Sequence, residues 1–376
     1  MSIHTADVVV IGAGIVGTAC AWALAGEGLR VTVVESSCVA GGATAAGMGH
    51  VVLMDDSEAE FTLTRYSRRL WLDLKTELPP QAEFEQRGTL WVAADDEEMD
   101  AVRKKYHFYT ARGASAEVLD PAALAEAEPN LRPGLAGGLL IPEDSVLYAP
   151  CAAQWMLARA RDRGTSLRIG VPAVEIREGI VRLGDGSTLS AGVAINAAGA
   201  SAGDLTPGIG VRSRKGHLAI TGRYPRFLRR QLVELGYLKS SHGSAAESVA
   251  FNVQPRATGQ ILIGSSRQFG AEDPAVDHSI LSRMLTRAVE YMPALGNLSV
   301  IRTWTGFRAA TADRLPLIGP WPPVPGLFLA TGHEGLGITT SLGTAALVTG
   351  QILGRAPAIA PDPYLPARVL AKLAHA

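Results

Sequence analysis

Hydrophobic and polar positions change rhythm several times along this chain. Residues 7–11 are an unbroken β-branched run, the pattern of a strand buried on both faces. Residues 15–27 bring small and apolar side chains round a helix, and 30–35 return to a β-branched run ending on Glu35. Strand, helix and strand in that order predict one βαβ unit. In "FTLTRYSRRLWLDL" apolar positions recur every three or four residues, which predicts an amphipathic helix over 58–77. "FEQRGTLWVAA" (84–94) reads as a strand, and 96–112 as a charged, exposed helix.

Boundary signals mark out the rest. "DPAALAEAEPN" opens with an Asp N-cap and Pro at the first helical position, and ends at Pro129. Residues 149–164 form a helix closed by Gly164, and "IVRLGDGSTLS" a hairpin with an Asp-Gly turn. "GVAINAAGA" (192–200) is a buried strand entering a tight small-residue turn. The middle third, 211–304, is mostly extended with a helix at 277–291; the C-terminal region is strand, glycine loop and a long small-residue helix. βα signals at both ends around an extended middle predict an α/β fold: a Rossmann-like, doubly wound domain over 1–85, 145–210 and 305–376. It is interrupted by an α+β domain with a mostly antiparallel sheet over 86–144 and 211–304.

Composition agrees with two domains. At 376 residues the chain exceeds the size at which one core usually stops growing. It is 47% hydrophobic and 19% charged, enough for sizeable cores, and its net charge of −1 provides no field for nucleic acid or anionic membranes. Cys20, Cys38 and Cys151 are far apart with no CxxC pair, which fits a reducing compartment and offers no metal site. The N-terminus has no basic region before its short apolar run, so no signal peptide is expected. The soft stretch 336–353 is broken by glycines and threonines and falls short of a spanning helix. These features read as cytoplasmic, with peripheral attachment to the inner membrane left open.

The first βαβ unit carries the chemistry. Gly12, Gly14 and Gly17 have the G-x-G-x-x-G spacing between strand and helix. Gly12 permits the tight turn, Gly14 lets the backbone approach a pyrophosphate at the helix N-terminus, and Gly17 lets helix and strand pack closely. Glu35 follows eighteen residues after Gly17, placed to accept ribose hydroxyls; Ser36 and Ser37 come next rather than an arginine, which disfavours a 2′-phosphate. Glycines alone mark any βα turn; with strand, helix and acid at this spacing they read as a dinucleotide site, NAD or FAD.

Three later stretches choose between them. "GGATAAGMGH" (41–50) is a second glycine-rich loop suited to lie along an extended flavin dinucleotide. "NAAGASAG" (196–203) ends a strand in residues small enough to let something approach. "TGHEGLG" (331–337) gathers backbone N–H groups at the start of a helix, where they would stabilise negative charge on a reduced flavin. No second G-x-G-x-x-G follows another strand, so electrons are expected from an organic substrate.

With these residues in order, and with "RSRKGHLAIT", "GQILIGSS" and "GFRAATADRLPLIG" between them, the whole chain resembles the D-amino acid oxidase (DAO) family of FAD-dependent amine oxidoreductases. That family includes glycine oxidase, sarcosine oxidase and D-amino acid dehydrogenase. Within it the wording is most similar to D-hydroxyproline dehydrogenases and to the flavoprotein subunits of hydrogen cyanide synthase and opine oxidases. The resemblance implies an FAD-binding domain of the GR2 type and oxidation of a D- or secondary amino acid to its imine, with hydride passing from Cα to flavin N5. It implies D-hydroxyproline or D-proline as substrate, with glycine or sarcosine as the alternative. A flavin-carrying subunit of a hetero-oligomeric opine or amino acid dehydrogenase is a further reading. Oxygen, a quinone or a partner subunit would accept the electrons, from a homo- or hetero-oligomer.

Residue by residue, the resemblance places FAD against Gly12, Ala13, Gly14, Ile15, Val16 and Gly17, then Glu35 and Ser36. The second loop contributes Gly42, Ala43, Thr44, Ala46, Gly47 and Met48. Val174 would touch the adenine side, Ala198 and Gly199 the small-residue turn, and Gly332, Gly335, Leu336, Gly337, Ile338 and Thr339 the flavin ring. Arg308 in "GFR" becomes the substrate-carboxylate anchor, a planar fork suited to bidentate pairing; a salt bridge to Asp313 or a surface position is the bland alternative. Covalent flavin attachment in relatives uses a cysteine near the arginine motif or a histidine in the second loop. Residues 304–310 hold no cysteine and the aligned loop no histidine before His50, so non-covalent FAD is expected. His50 and His333 are candidates for contacting substrate amine or flavin, or are structural donors. Asn252 and Gln254 alternate with apolar residues and face either a pocket or water. Arg212, Arg214, Lys215, Arg223, Arg226, Arg229 and Arg230 form an acid-free basic stretch, a solvated face or a docking surface.

Overall fold

The structure, a computed structural model, describes residues 5–236 and 247–373. Chain contacts divide it into two compact units: Met1–Ala82, Tyr148–Ser213 and Phe307–Ala376 form one, Glu83–Leu147 and Arg214–Gly306 the other.

The first unit is built on the predicted βαβ start. Strand Ala6–Ile11, helix Ile15–Gly26 and strand Val31–Glu35 follow each other directly. Its sheet runs in the order Leu317–Pro320, Leu327–Thr331, Thr188–Asn196, Ala6–Ile11, Val31–Glu35, Ser166–Ile169. Ala6–Ile11 is parallel to both neighbours, with Val10 opposite Ile195 on one side and Val33 on the other. Strands buried this way account for the continuous apolar run. The hairpin and the buried strand expected separately at 180–190 and 192–200 share one strand, Thr188–Asn196. Its first half pairs antiparallel with Ile180–Leu183 and its second half parallel with Leu327–Thr331. Helix Ile15–Gly26 carries small residues on nearly every side because helices Ala149–Asp162 and Gly337–Ile352 both pack on it.

Two other expectations are corrected. The second glycine-rich loop contains a one-turn helix, Gly42–Ala46, whose alanines favour helix once Gly42 has taken a φ of 55°. The expected strand over 84–94 is reduced to Thr89–Ala93, because Gly88 turns the chain at a φ of 74° just before it.

The second unit is an eight-stranded, mostly antiparallel sheet, ordered Val300–Ala310, Arg212–Thr221, Ile261–Phe269, Glu247–Pro255, Gln231–Glu234, Thr89–Ala93, Gly137–Ile141, Glu117–Leu119. Helix His278–Tyr291, capped by Asp277 through the N–H groups of Ser279 and Ile280, lays Leu281, Met284 and Ala288 on one sheet face. Phe251 and Tyr291 stack in that core with centroids 4.6 Å apart.

Candidate active site

The glycine motif is shaped by contacts that leave no room for a side chain. Gly12 has a φ of 102°, and a Cβ there would lie 2.5 Å from the Ala197 carbonyl oxygen. A Cβ on Gly17 would lie 1.9 Å from the Gly12 oxygen. Gly14, by contrast, has an ordinary φ of −69° and only the Thr44 hydroxyl nearby, at 3.2 Å. Gly12 and Gly17 therefore make the tight turn and the close helix–strand packing that the spacing predicts, while Gly14 meets only a hydroxyl.

The same contacts bring four separated segments into one cradle. Gly12 meets the turn after Asn196, and Gly14 meets Thr44 of the second glycine segment, whose hydroxyl accepts the Ile15 N–H at 2.9 Å. Gly47 reaches the Ile338 side chain at 3.1 Å, and Gly337 stands 3.9 Å from a Val16 methyl, measured from Cβ positions. Thr339 ties two of these segments together, its hydroxyl donating to the His50 carbonyl and accepting the Val52 N–H. Thr331, in the same last segment, donates to the Gly199 carbonyl at 3.0 Å and so joins it to the turn after Asn196. Ala198 is oriented by its N–H, which donates to Asn196 Oδ1 at 3.2 Å.

Glu35 sits at the rim with both oxygens in use. Its Oε2 accepts the Ala13 N–H and its Oε1 the Ser37 N–H, each at 2.8 Å, with the Ser36 hydroxyl at 3.3 Å. The carboxylate thus braces the glycine turn. Val174 lies apart from the cradle's inner contacts, 47% exposed on strand Ala173–Arg177; that strand's entry is joined to Glu35 through Val171 N–H and the Glu35 carbonyl.

Two helix N-termini lie in this region. Both Ile15–Gly26 and Gly337–Ile352 lack an acid in the first turn and a cap from their own N-cap residue, Thr44 taking up only the Ile15 N–H, which suits them to anionic groups. Trp71 holds the start of the second helix, its indole N–H donating to the Ile338 and Thr339 carbonyls at 3.1 and 3.2 Å.

Arg308 lies on strand Val300–Ala310, half-buried, beside the last glycine loop: a Cβ on Gly335 would be 3.6 Å from its Nε. Next to it, Glu334 N–H donates to the Ala309 carbonyl at 2.8 Å, fixing loop to strand. Asp313 is gripped on both oxygens by Arg368, at 2.9 and 3.2 Å. Arg314 takes a φ of 63° in the turn and pairs with Asp56 at 3.8 Å, a structural role.

His333 is buried and His50 half-buried, and desolvation holds both neutral. Burial pushes His333 down to about 3 and His50 down to about 4. His333 Nε2 shares a hydrogen bond with the Thr344 hydroxyl at 2.9 Å, while His50 Nε2 is buried with no hydrogen-bond partner in the protein.

The remaining signals resolve differently. Asn252 and Gln254 are 7% and 1% exposed, so the water-facing alternative is excluded. The basic stretch is not one solvated face. Arg214 stacks on Phe269 and Lys215 is buried against Asp273, while the backbone N–H groups of Arg229 and Arg230 bind Glu128. Desolvation raises Glu128 to about 7. Sequence reasoning missed Trp71 and Asn196 as organisers of the cradle.

The cradle is that of a flavin dinucleotide site, and the sequence matches the family described as FAD dependent oxidoreductase (DAO) over residues 7–351. The chain belongs to that family. Its similarity to individual members runs nearly end to end. Glycine oxidase of Geobacillus kaustophilus is 28% identical, with 98% of this chain and 99% of that protein aligned. The crystal structure of glycine oxidase from that organism superposes with a TM-score of 0.88 at 26% identity, covering 97% of this chain and 99% of that one. Hydrogen cyanide synthase subunit HcnC of Pseudomonas aeruginosa is 28% identical over 94% of this chain and 92% of that protein. An opine oxidase subunit of Rhizobium meliloti is 25% identical over 93% and 94%. The fold of this FAD-dependent oxidoreductase is accordingly that of the glycine oxidase group, and among the described residues no helix is long and apolar enough to cross a membrane.

Proposed function

We propose that the chain oxidises the C–N bond of a small amino acid to the corresponding imine, with a cyclic secondary D-amino acid such as D-hydroxyproline or D-proline as its substrate. The observation that carries this reading is the position of Arg308 beside Gly335, where the loop and helix of the cradle begin. A guanidinium there pairs bidentately with a carboxylate and fixes the neighbouring Cα–H bond in one direction. Bound FAD supplies the two-electron acceptor for a C–H bond held in this way. FAD would be held, without a covalent link, by the glycine turn through Gly17, by Glu35, and by the segments at 42–48, 198–199 and 332–339. The substrate must present its nitrogen as the free amine, and placement does most of the catalytic work. His50 and His333, both neutral, serve as hydrogen-bonding groups rather than as bases working near pH 7.

A second reading is supported by two relatives that are subunits by name, those of hydrogen cyanide synthase and of opine oxidase. In it the chain carries flavin within a hetero-oligomer and passes electrons to a partner. Anaerobic mixing of the purified protein with D-, N-methyl and cyclic amino acids, followed by oxygen or an artificial dye, separates the readings. Flavin bleached by cyclic D-amino acids supports the first. Bleaching only by glycine, sarcosine or opines moves the substrate, and no bleaching without an added partner favours the second.

A further inference from the structure

Helix His278–Tyr291 has unlike chemistry on its two sides, all of it within the Glu83–Leu147 and Arg214–Gly306 unit. Leu281, Met284, Ala288 and Tyr291 lie in the apolar core. On the outward side His278, Ser282, Leu285, Val289 and Pro293 line an open groove of about 760 Å³. Steps of four, three, four and four residues keep these positions on one stripe, so the groove follows the helix from its first turn to just past its end.

Apolar side chains left in water edge this groove. Val289 is 37% exposed, and Val300 and Ile301, which open the next strand, are 40% and 61% exposed. They are three of the eight large apolar side chains exposed among the described residues, all within the stretch 289–301. The turn between them packs on the helix, where a Cβ on Gly296 would lie 3.8 Å from a Val289 methyl. Strand Val300–Ala310 is also the end strand of its sheet. An apolar patch that meets a strand at a sheet edge is a template for association.

The charges beside the stripe say what associates with it. Arg283 and Glu290 are seven residues, or about 10 Å, apart on one flank of the helix. Each has an ion pair in its own chain, Arg283 with Glu247 at 3.4 Å and Glu290 with Arg287 at 2.8 Å, yet both side chains remain half exposed. Turned antiparallel about a two-fold axis, two copies of the helix set Arg283 of each protomer against Glu290 of its partner, with Leu285 and Val289 interleaved at the axis. A parallel copy would set like charges side by side. In charge, the surface is its own complement.

We propose that this face is a two-fold interface whose occupant is a second copy of the chain, with the two helices His278–Tyr291 packed antiparallel. Sedimentation equilibrium of the purified holoprotein tests it. The parent should be a dimer or an assembly of dimers. Val289→Asp should weaken association at the helix by at least about 30-fold, the effect of losing a central interface residue. Val118→Asp is the control: Val118 is 38% exposed on the strand at the other end of the same sheet, and its change should leave association as in the parent.

The charge pair tests the orientation. Glu290→Arg and Arg283→Glu should each weaken self-association about 10-fold, because each puts like charges opposite one another twice per dimer. An equimolar mixture of the two variants should regain the parent's dissociation constant, since every mixed dimer has both opposite pairs again. A parent that stays monomeric, or a Val289→Asp protein that associates like the parent, overturns the interface. A mixture that associates no more tightly than the separate variants overturns the antiparallel arrangement. Should Val289→Asp fail to fold, the charge reversals, made on half-exposed side chains, decide the matter alone.

Discussion

Gly14→Ala and Gly17→Ala, made three residues apart in the same turn, should separate cofactor binding from folding. A Cβ on Gly17 would sit 1.9 Å from the Gly12 carbonyl oxygen, against roughly 3.5 Å for an unstrained contact. The obstructing group is a backbone carbonyl, so helix Ile15–Gly26 must move off strand Ala6–Ile11. Overpacking of this kind costs typically about 1–3 kcal/mol, and with nothing flexible to yield, the upper end is expected. At about 2–4 °C per kcal/mol for a unit of this size, the apoprotein should melt about 6–12 °C lower. Gly14 has a conformation any residue adopts, and its Cβ would meet only the Thr44 hydroxyl at 3.2 Å, which can give by a few tenths of an ångström. Its alanine variant should keep the parent's melting temperature within about 2 °C. The added methyl would nevertheless stand at the helix N-terminus where a pyrophosphate approaches, weakening FAD by about 1–3 kcal/mol, or about 5- to 150-fold. Differential scanning fluorimetry of the apoproteins and titration of FAD by fluorescence quenching measure both quantities. A Gly14→Ala protein that binds FAD like the parent would refute the placement of the dinucleotide.

Arg308→Ala should lower kcat/KM by about 30- to 5,000-fold, the cost of leaving a substrate carboxylate unpaired, and Arg308→Lys should recover only part. FAD content should stay at the parent level in both, and normal turnover by Arg308→Ala would sink the anchor role. Acid or heat denaturation should release FAD into the supernatant, and flavin fluorescence on the denatured chain in a gel would disprove non-covalent attachment. The desolvated, neutral histidines should make stability fall with acid. Each pH unit below the unfolded value of about 6.5, down to about 4 for His50 and about 3 for His333, removes up to about 1.4 kcal/mol per histidine. Glu128, raised to about 7, acts in the opposite direction as the pH falls. The comparison that isolates the histidines is therefore parent against His333→Gln in urea melts at pH 7 and 5, where the variant should lose less stability; equal losses would contradict a buried neutral imidazole.

The elements legible in the sequence are those fixed by local sterics. The β-branched runs at 7–11 and 31–35, the Asp120 cap and the Asp277 cap depend on residues a few positions apart, and each appears where its pattern placed it. Where a neighbour decides, the pattern misled. Strand Thr188–Asn196 looked like two elements because its alternating half meets a hairpin and its apolar half lies between two parallel strands. The segment 41–50 looked like a loop because its glycines hide a single turn of alanine-rich helix.

The cradle itself spans that scale. Gly12 and Gly17 announce themselves because no other residue fits a φ of 102° or a Cβ position 1.9 Å from a carbonyl oxygen. Thr44, by contrast, caps helix Ile15–Gly26 from 29 residues away, and Trp71 and Asn196 organise the cradle through bonds to distant backbone. Thr89 and Gln231 are further still from being readable, for each is an ordinary polar residue at the start of a strand. Only the register, Thr89 against Gln231 and Val233 against Asn252, places them on one face and shows that their polar atoms are buried together. The glycine motif therefore points to the cofactor, while the residues that tie its segments together emerge only after stretches distant in sequence have been folded against one another.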